Sequence, residues 1–336
     1  MENKKKPLLI CLTSTRNYGW VTNAFLKANS LWADYIIIVD QMSTDGTREM
    51  ALANPKVILL DNEDLTYSET KRSEMAINRA RQIKGDKILL YLAIDEVLPA
   101  NAMETRDWRK ITQSEPGTVL IFQWANLLSD KKHYFSSENK DGSPAWMARG
   151  FYDDNITPYN NYGLDMHTHC IPYPQTDVKE YFVKDFPILH FAVYNKKWNT
   201  AKQRLYQFVD FDKNKRSLIQ LSRMYKKEFI PKQVSMIKEE WRYKKEKHQF
   251  DLFDEVDITD SSFFDNLIIE LINKNGIKRY SKLNVWDKEF LNKFELKDPR
   301  SFWIKVIHFY LNKTQFDFDN CIFIRIVDKI LKKLLI

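Results

Sequence analysis

Two short stretches of this chain carry carboxylates at spacings suited to chemistry: Asp40-Gln41-Met42-Ser43-Thr44-Asp45-Gly46-Thr47 and Asp95-Glu96. The first follows the apolar run Ile36-Ile37-Ile38-Val39, and the second follows Ile88-Leu89-Leu90-Tyr91-Leu92-Ala93-Ile94. Apolar runs of this length, bounded by polar turns, read as buried strands. Open α/β sheets take their ligands at the carboxyl ends of strands, so the pattern predicts a nucleotide and metal site assembled from two strand ends. At the first end, a carboxylate and short hydroxyls can bond a base and a ribose, while Thr44-Asp45-Gly46 opens the next helix. At the second, Asp95 supplies the oxygen ligand that a hard Mg2+ or Mn2+ ion prefers.

The elements that must position these groups follow the same periodicity. Pro7 to Leu12 reads as a strand, Thr13 to Asn17 as a polar turn and Tyr18 to Ser30 as a helix. Then come a strand at Tyr35 to Val39, a helix at Thr47 to Ala53, a strand at Lys56 to Leu60, a helix from Ser68 to Lys84 ending at Gly85, and the strand from Lys87 to Ile94. This βαβαβαβ order predicts an α/β fold with a Rossmann-like, mostly parallel sheet flanked by helices and joined by right-handed crossovers. Later strands are expected at Thr118 to Trp124 and Phe186 to Phe191. The stretch from Asp130 to Pro174, rich in Asn, Asp, Tyr, Gly and Pro, reads as a loop-rich segment that shapes a site. From residue 196 the pattern becomes Lys- and Glu-rich and helical, dividing the chain into a domain at 1–195 and a helical C-terminal region at 196–336.

Composition bounds the rest. A chain of 336 residues with 44% hydrophobic and 14% aromatic content buries one large core or two smaller ones and is not disordered. No apolar run approaches the roughly 18 residues that span a bilayer, so the expectation is a cytoplasmic protein. Cys11, Cys170 and Cys321 are odd in number and widely spaced, which argues against a disulfide framework or a thiolate metal site. The net charge of +7 fits an anionic partner: nucleic acid, a phospholipid surface or a phosphorylated small molecule. The last segment, Cys321 to Ile336, sets Arg325, Asp328, Lys329, Lys332 and Lys333 on one helical face against Ile324, Val327, Leu331, Leu334 and Leu335. It reads either as a helix docked on its own domain or as a basic amphipathic foot resting peripherally on the inner, anionic face of the cell membrane.

Asp40 to Thr47, taken with Asp95-Glu96, resembles family 2 glycosyltransferases of GT-A fold, whose second strand ends in a D-D-G-S-T-D-G-T-like turn. Six of the eight positions agree, with Gln41 and Met42 replacing the second acid and the first glycine. Where family sequences read roughly L-D-A-D-E, this chain reads Leu92-Ala93-Ile94-Asp95-Glu96, with Ala93 in place of the first acid. The resemblance covers about the first 210 residues and extends to a bacterial subgroup in which Gly163 to His169 and Ile188-Leu189-His190-Phe191 match, Thr168 standing for an acid. It implies that residues 1–195 form a GT-A nucleotide-sugar-binding and catalytic domain and that a UDP-sugar is the donor. It further implies donor contacts from Thr13, Asp40, Ser43, Asp45, Arg72 and Asp95, and an Mg2+ or Mn2+ ion held by Asp95 and His190 that neutralises the leaving diphosphate. Read from the residues alone, Arg72 is equally a solvated helix base, and His190 equally a satisfied core histidine.

The implied reaction is an inverting transfer of a sugar to a saccharide or lipid-linked acceptor in cell-envelope polysaccharide synthesis. It needs a base near the acceptor hydroxyl, for which Asp165 and His167, two residues apart and on one face if extended, are the candidates. Two other classes are weighed against it. A nucleotidyltransferase would open with a Gly-rich basic loop after the first strand, where Thr13 to Gly19 has a single glycine. A non-enzymatic nucleic-acid or membrane-binding module would cluster its basic residues, which here are dispersed among 45 acids.

Overall fold

The computed structural model describes residues 6–66, 68–139, 143–159, 169–213, 216–226, 233–243, 247, 250–257, 262–315 and 321–334. The chain divides into two units, Met1–Tyr194 with Lys232–Thr259, and Asn195–Pro231 with Asp260–Ile336. Residues 232–259, which the sequence places in the helical C-terminal region, therefore belong to the first unit. They are tied there by hydrogen bonds. The Ala100 N–H donates to the Trp241 carbonyl (3.1 Å), the Tyr243 hydroxyl to the Leu98 carbonyl (2.6 Å) and the Asp257 N–H to the Trp20 carbonyl (2.8 Å).

The first unit opens with β1 (Leu8–Thr15), α1 (Gly19–Asn29), β2 (Tyr35–Asp40), α2 (Thr47–Leu52), β3 (Val57–Asp61), α3 (Glu69–Arg81) and β4 (Lys87–Tyr91). Each βαβ step returns a parallel strand, giving the neighbours β3-β2-β1-β4. Both faces of these strands are covered, which is why they read as unbroken apolar runs: Ile36 to Val39 are fully buried, and each such side chain contributes about 1.5–3 kcal/mol. The fold is thus the mixed α/β arrangement expected, a mostly parallel sheet flanked by helices.

Three later strands extend this sheet: β6 (Thr118–Phe122), β9 (Met147–Asp153) and β10 (Lys179–Phe182), in the order β10-β6-β9-β4. Here the expectation of a loop from Asp130 to Pro174 fails, because β9 runs antiparallel between β4 and β6 in the middle of the sheet. The pairing of β9 with β6 slips by one residue: Leu120 faces Gly150 and Ile121 faces Ala148, leaving Arg149 as the extra residue of a β-bulge. Gly150 is required beside it, since a Cβ there would lie 2.5 Å from Leu90 Cδ2 and 2.8 Å from Leu120 Cδ1.

A second sheet of five short strands has the order β12-β8-β7-β11-β5, formed by β5 (Glu96–Val97), β7 (Trp124–Leu127), β8 (His133–Ser136), β11 (Ile188–His190) and β12 (Ser235–Met236). β5 exists because the strand expected through Ile94 ends at Tyr91. The Glu96 N–H donates to the Ala93 carbonyl (2.8 Å) and the Ala93 N–H donates to Glu96 Oε2 (2.8 Å), a turn that peels the chain into the second sheet.

The first unit also holds α4 (Arg106–Thr112), and the second unit is helical: α5 (Lys196–Asp212), α6 (Leu218–Tyr225), α7 (Ser262–Asn275), α8 (Lys288–Lys293), α9 (Phe302–Lys313) and α10 (Ile322–Leu334). Aromatic side chains fill its core, with Phe208 against Tyr280 (4.5 Å between ring centroids) and Trp286 (6.2 Å). Arg204 is buried among them, its charge met by Asp265 (2.5 Å) and Asp287 (3.1 Å). No described helix is long and apolar enough to cross a membrane.

Candidate active site

The Asp40–Thr47 turn is a clasp. Asp40 is fully buried, and its carboxylate accepts from the Ser43 hydroxyl (2.5 Å), the Ser43 N–H (3.0 Å) and Arg48 Nη1 (2.8 Å), which also pairs with Asp61 (2.7 Å). The Asn17 N–H donates to Ser43 Oγ (2.8 Å), and Asn17 Oδ1 accepts from the Thr44 N–H (2.6 Å). Asn17 does this from a left-handed backbone conformation, φ 57°, which asparagine tolerates. Asp45 then joins two helix starts, accepting from the Gly19 N–H of α1 (2.7 Å) and from the Thr47 N–H (3.2 Å) and hydroxyl (2.6 Å) of α2. Gly19 permits that approach, for a Cβ would lie 2.8 Å from the Asp45 carbonyl oxygen. Asp40, Ser43 and Asp45 therefore spend their polar groups on building the turn that follows β2 and clasping it to the one that follows β1.

Thr13 lies inside the sheet, its hydroxyl without a hydrogen-bond partner among the described residues. The neighbouring Ser14, on the other face of β1, shares a 3.0 Å hydrogen bond with the Tyr91 hydroxyl at the end of β4. Burial first, then the Cys170 thiol, raises the Tyr91 phenol above its ordinary range, so it stays neutral. Arg72, on α3, is 7% exposed, donates through Nε to the Ser68 carbonyl (3.2 Å) and lies within electrostatic reach of Tyr91.

The densest chemistry sits where β5, β7 and β11 run side by side. The register pairs His190 with Glu96 on one side and with Asn126 on the other, joining positions far apart in sequence. His190 Nδ1 is 3.1 Å from Asn126 Oδ1, and since that oxygen only accepts, Nδ1 carries the proton and Nε2 presents its lone pair or a second proton. Nε2 lies 3.8 Å from Asp95 Oδ1 and 4.0 Å from Glu96 Oε1. The Asp95 carbonyl accepts from the Phe191 N–H (2.8 Å), which locks the two segments together. The Trp124 ring packs 4.8 Å from the imidazole, and Arg149 places its guanidinium 5.0 Å from that indole and 3.5 Å from Glu96 Oε1. Burial opposes the Arg149 charge, but Glu96 leads the groups that outweigh it, so its pKa is raised and it remains a cation.

The site residues inferred from sequence thus fall into three groups. Asp95 and His190 are brought together; Asp40, Ser43 and Asp45 build the loop at the end of β2; Thr13 and Arg72 lie at β1 and α3. Asp165 and His167, and with them Thr168, lie outside the described residues. Sequence reading missed Asn126, Trp124 and Arg149. The signal for Arg149 was present: a lone glycine inside an otherwise strand-like run, Trp146-Met147-Ala148-Arg149-Gly150-Phe151, marks a bulge, and bulges re-aim side chains.

Asp95 and His190 are the right donor types for a divalent cation. One carboxylate oxygen and one imidazole nitrogen 3.8 Å apart can share an ion whose remaining positions are filled by water and substrate phosphate, the usual situation for Mg2+ and Mn2+. Among the described residues no group of three His, Cys, Asp or Glu side chains is arranged to hold a metal by protein ligands alone. Glu96 is engaged by the Ala93 N–H and by Arg149.

No family model matches the chain, and no curated protein sequence matches it. Among solved structures it is similar to the crystal structure of S. aureus TarS 1-349, over 93% of this chain and 80% of that one, at 12% identity and a TM-score of 0.39. It is also similar to a 4-diphosphocytidyl-2C-methyl-D-erythritol synthase, over 54% of this chain and 89% of that one, at 12% identity and a TM-score of 0.33. A third, the inositol-1-phosphate CTP transferase from T. maritima, aligns over 56% of this chain and 91% of its own at 8% identity and a TM-score of 0.33. These likenesses are weak in sequence and in superposition, and no family is assigned from them.

Proposed function

We propose that the protein is a GT-A glycosyltransferase that moves a sugar from a UDP-sugar to a saccharide or lipid-linked acceptor in cell-envelope polysaccharide synthesis. The observation that carries the reading is the meeting of Asp95, just before β5, His190, at the end of β11, and Arg149, at the bulge of β9. A carboxylate and an imidazole lie there within one ion's reach, and a largely sheltered guanidinium stands beside Glu96. Asp95 and His190 would hold Mg2+ or Mn2+, which would supply Lewis-acid neutralisation of a diphosphate leaving group. Asn126 holds the imidazole at Nδ1, leaving Nε2 on the side of Asp95. Arg72 and Arg149, both within electrostatic range of Tyr91, offset the remaining phosphate charge. Two sheltered donors, Arg149 Nε–H and Trp124 Nε1–H, have no acceptor among the described residues, and a polar ligand would give them one. The clasped turn from Asp40 to Thr47 and the Thr13 strand end form the wall against which base and ribose rest. Asp165 or His167 takes the proton of the acceptor hydroxyl as the anomeric carbon gains oxocarbenium character.

The alternative reading is a nucleotidyltransferase, which would use the same kind of nucleotide cradle for a different bond. Its phosphate loop would follow β1, where Gly19 is instead used for the close approach of Asp45. The test is a thermal-shift panel of nucleoside diphosphates with and without Mn2+, followed by product analysis with UDP-sugars. The reading expects a UDP shift that grows with Mn2+ and disappears in Asp95→Asn, and release of UDP without pyrophosphate. No shift with any nucleotide, or pyrophosphate as the product, would overturn it.

A further inference from the structure

The second unit carries two neighbouring helices that expose large apolar side chains as well as burying others. On α9 the inward residues Ile304, His308 and Leu311 are at most 9% exposed, whereas Phe302 (71%), Trp303 (72%) and Phe309 (65%) face solvent. On α10 only Ile324 is buried, while Phe323 (69%), Ile326 (52%) and Ile330 (53%) are exposed. An ordinary surface helix turns its apolar stripe to the core. Here the inner edge is held instead by a polar hub.

That hub is Arg223 of α6, itself 5% exposed. It donates to both Asp328 carboxylate oxygens of α10 (2.8 and 2.9 Å) and to the Leu311 carbonyl (3.0 Å) and Thr314 hydroxyl (2.9 Å) at the end of α9. The Tyr310 hydroxyl of α9 donates to Asp328 Oδ1 (3.1 Å). A bidentate buried pair of this kind fixes the rotation of α10 about its axis. With Asp328 locked inward, the helical period forces Ile326 and Ile330 outward. The exposed apolar residues are therefore held out by specific bonds.

Charge identifies what covers them. Asp328 is the one acid in the two helices, and Arg223 neutralises it; the other charged residues, Lys305, Lys313, Arg325, Lys329, Lys332 and Lys333, are all basic and all exposed. Aromatic and aliphatic side chains with Lys and Arg flanking them, and no free acid within the two helices, are the chemistry of the interface of an anionic bilayer: apolar groups enter the acyl boundary while long basic side chains reach the headgroups. At 12 and 13 residues the helices are about 18–20 Å long, too short to span but sufficient to lie in the interface. We propose that α9 and α10 together form a docking surface for the anionic face of a lipid bilayer. The sequence set Asp328 with the basic face and Ile324 with the apolar stripe; in the structure both turn inward, and the apolar residues left for lipid include Phe323, Ile326 and Ile330, outside the stripe the sequence indicated, with α9 as a second contributor.

The test uses the full chain and sedimentation with vesicles of phosphatidylcholine, with and without about 30 mol% phosphatidylglycerol. The parent should sediment with the anionic vesicles and be released by salt. Phe323→Ser/Ile326→Ser and Trp303→Ser should each reduce partitioning on the order of 10-fold, with unchanged circular dichroism because the replaced side chains are exposed. Absence of vesicle binding, or binding indifferent to these substitutions, would overturn the proposal. A concentration-dependent dimer abolished by the same variants, without vesicle binding, would assign the face to a second copy. Failure on any of these counts leaves the nucleotide reading of the first unit untouched, since that is measured by its own thermal shifts.

Discussion

Asp45 separates a ligand contact from a loop-building role, because sequence assigns it to the nucleotide and the structure gives its carboxylate to two helix starts. In Asp45→Ala the Gly19 N–H loses its acceptor at 2.7 Å, and the Thr47 N–H and hydroxyl lose theirs at 3.2 and 2.6 Å. A hydrogen bond of this kind contributes about 1 kcal/mol net, so the two helix starts amount to about 2 kcal/mol; the site is exposed, and water takes over part of the bonding. For a unit of this size 1 kcal/mol moves the thermal midpoint by about 2–4 °C, giving an expected drop of about 4–8 °C in the absence of ligand. Asp45→Asn keeps an amide oxygen as acceptor and should recover at least half of that loss. The assay is differential scanning fluorimetry without nucleotide and with saturating UDP and Mn2+. If Asp45 builds the loop, both variants start lower but keep a ligand-induced increment close to that of the parent. A variant with the parental midpoint in the absence of ligand, and no increment with it, would refute the reasoning and return Asp45 to the nucleotide.

Three further outcomes are expected. His308 accepts from Arg300 Nη1 at Nδ1 (3.4 Å) and donates from Nε2 to the Lys282 carbonyl (3.2 Å), and burial followed by the Arg300 charge lowers its pKa to about 4 from 6.5. The unfolded chain then binds the extra proton first, so stability is complete above pH 6.5 and falls by about 3 kcal/mol as pH drops toward 4, a slope that urea midpoints should show in the parent and lose in His308→Gln. Gly150→Ala presses a Cβ to 2.9 Å from Leu120 Cβ, which cannot rotate away, and should cost about 1–3 kcal/mol by chemical denaturation; a neutral result would mean that the bulge relaxes freely. Arg149→Met leaves the buried Glu96 without its cation and should cost about 1–3 kcal/mol while abolishing the nucleoside diphosphate shift, and Arg149→Lys should restore stability better than binding, since lysine cannot reproduce the planar contact with Trp124.

The parallel half of the fold was legible because buried βαβ units leave local marks. Ile36 to Val39 read as a strand closed on both faces, and Ser68 and Gly85 bracket a helix that runs from Glu69 to Arg81. β9 was not legible in the same way. It lies in a polar, turn-rich stretch, and an antiparallel strand between two others is specified by its neighbours β4 and β6, which the sequence does not place beside it.

The same division holds for the site and for the last helices. By itself the sequence determined the motif at Asp40–Thr47, the buried strand that precedes Asp95 and the amphipathic character of the final segment, because these depend on residues a few positions apart. Only the tertiary structure decided that Asp40 and Asp45 spend their carboxylates on the loop, that Glu96, Asn126 and His190 share one register, and that a bulge aims Arg149 at Glu96. It also decided which face of α10 is free, through Asp328 meeting an arginine 105 positions away. Hydrophobic period and turn chemistry are local, whereas strand register, bulge position and the partner of a buried charge depend on segments that meet only when the chain is folded.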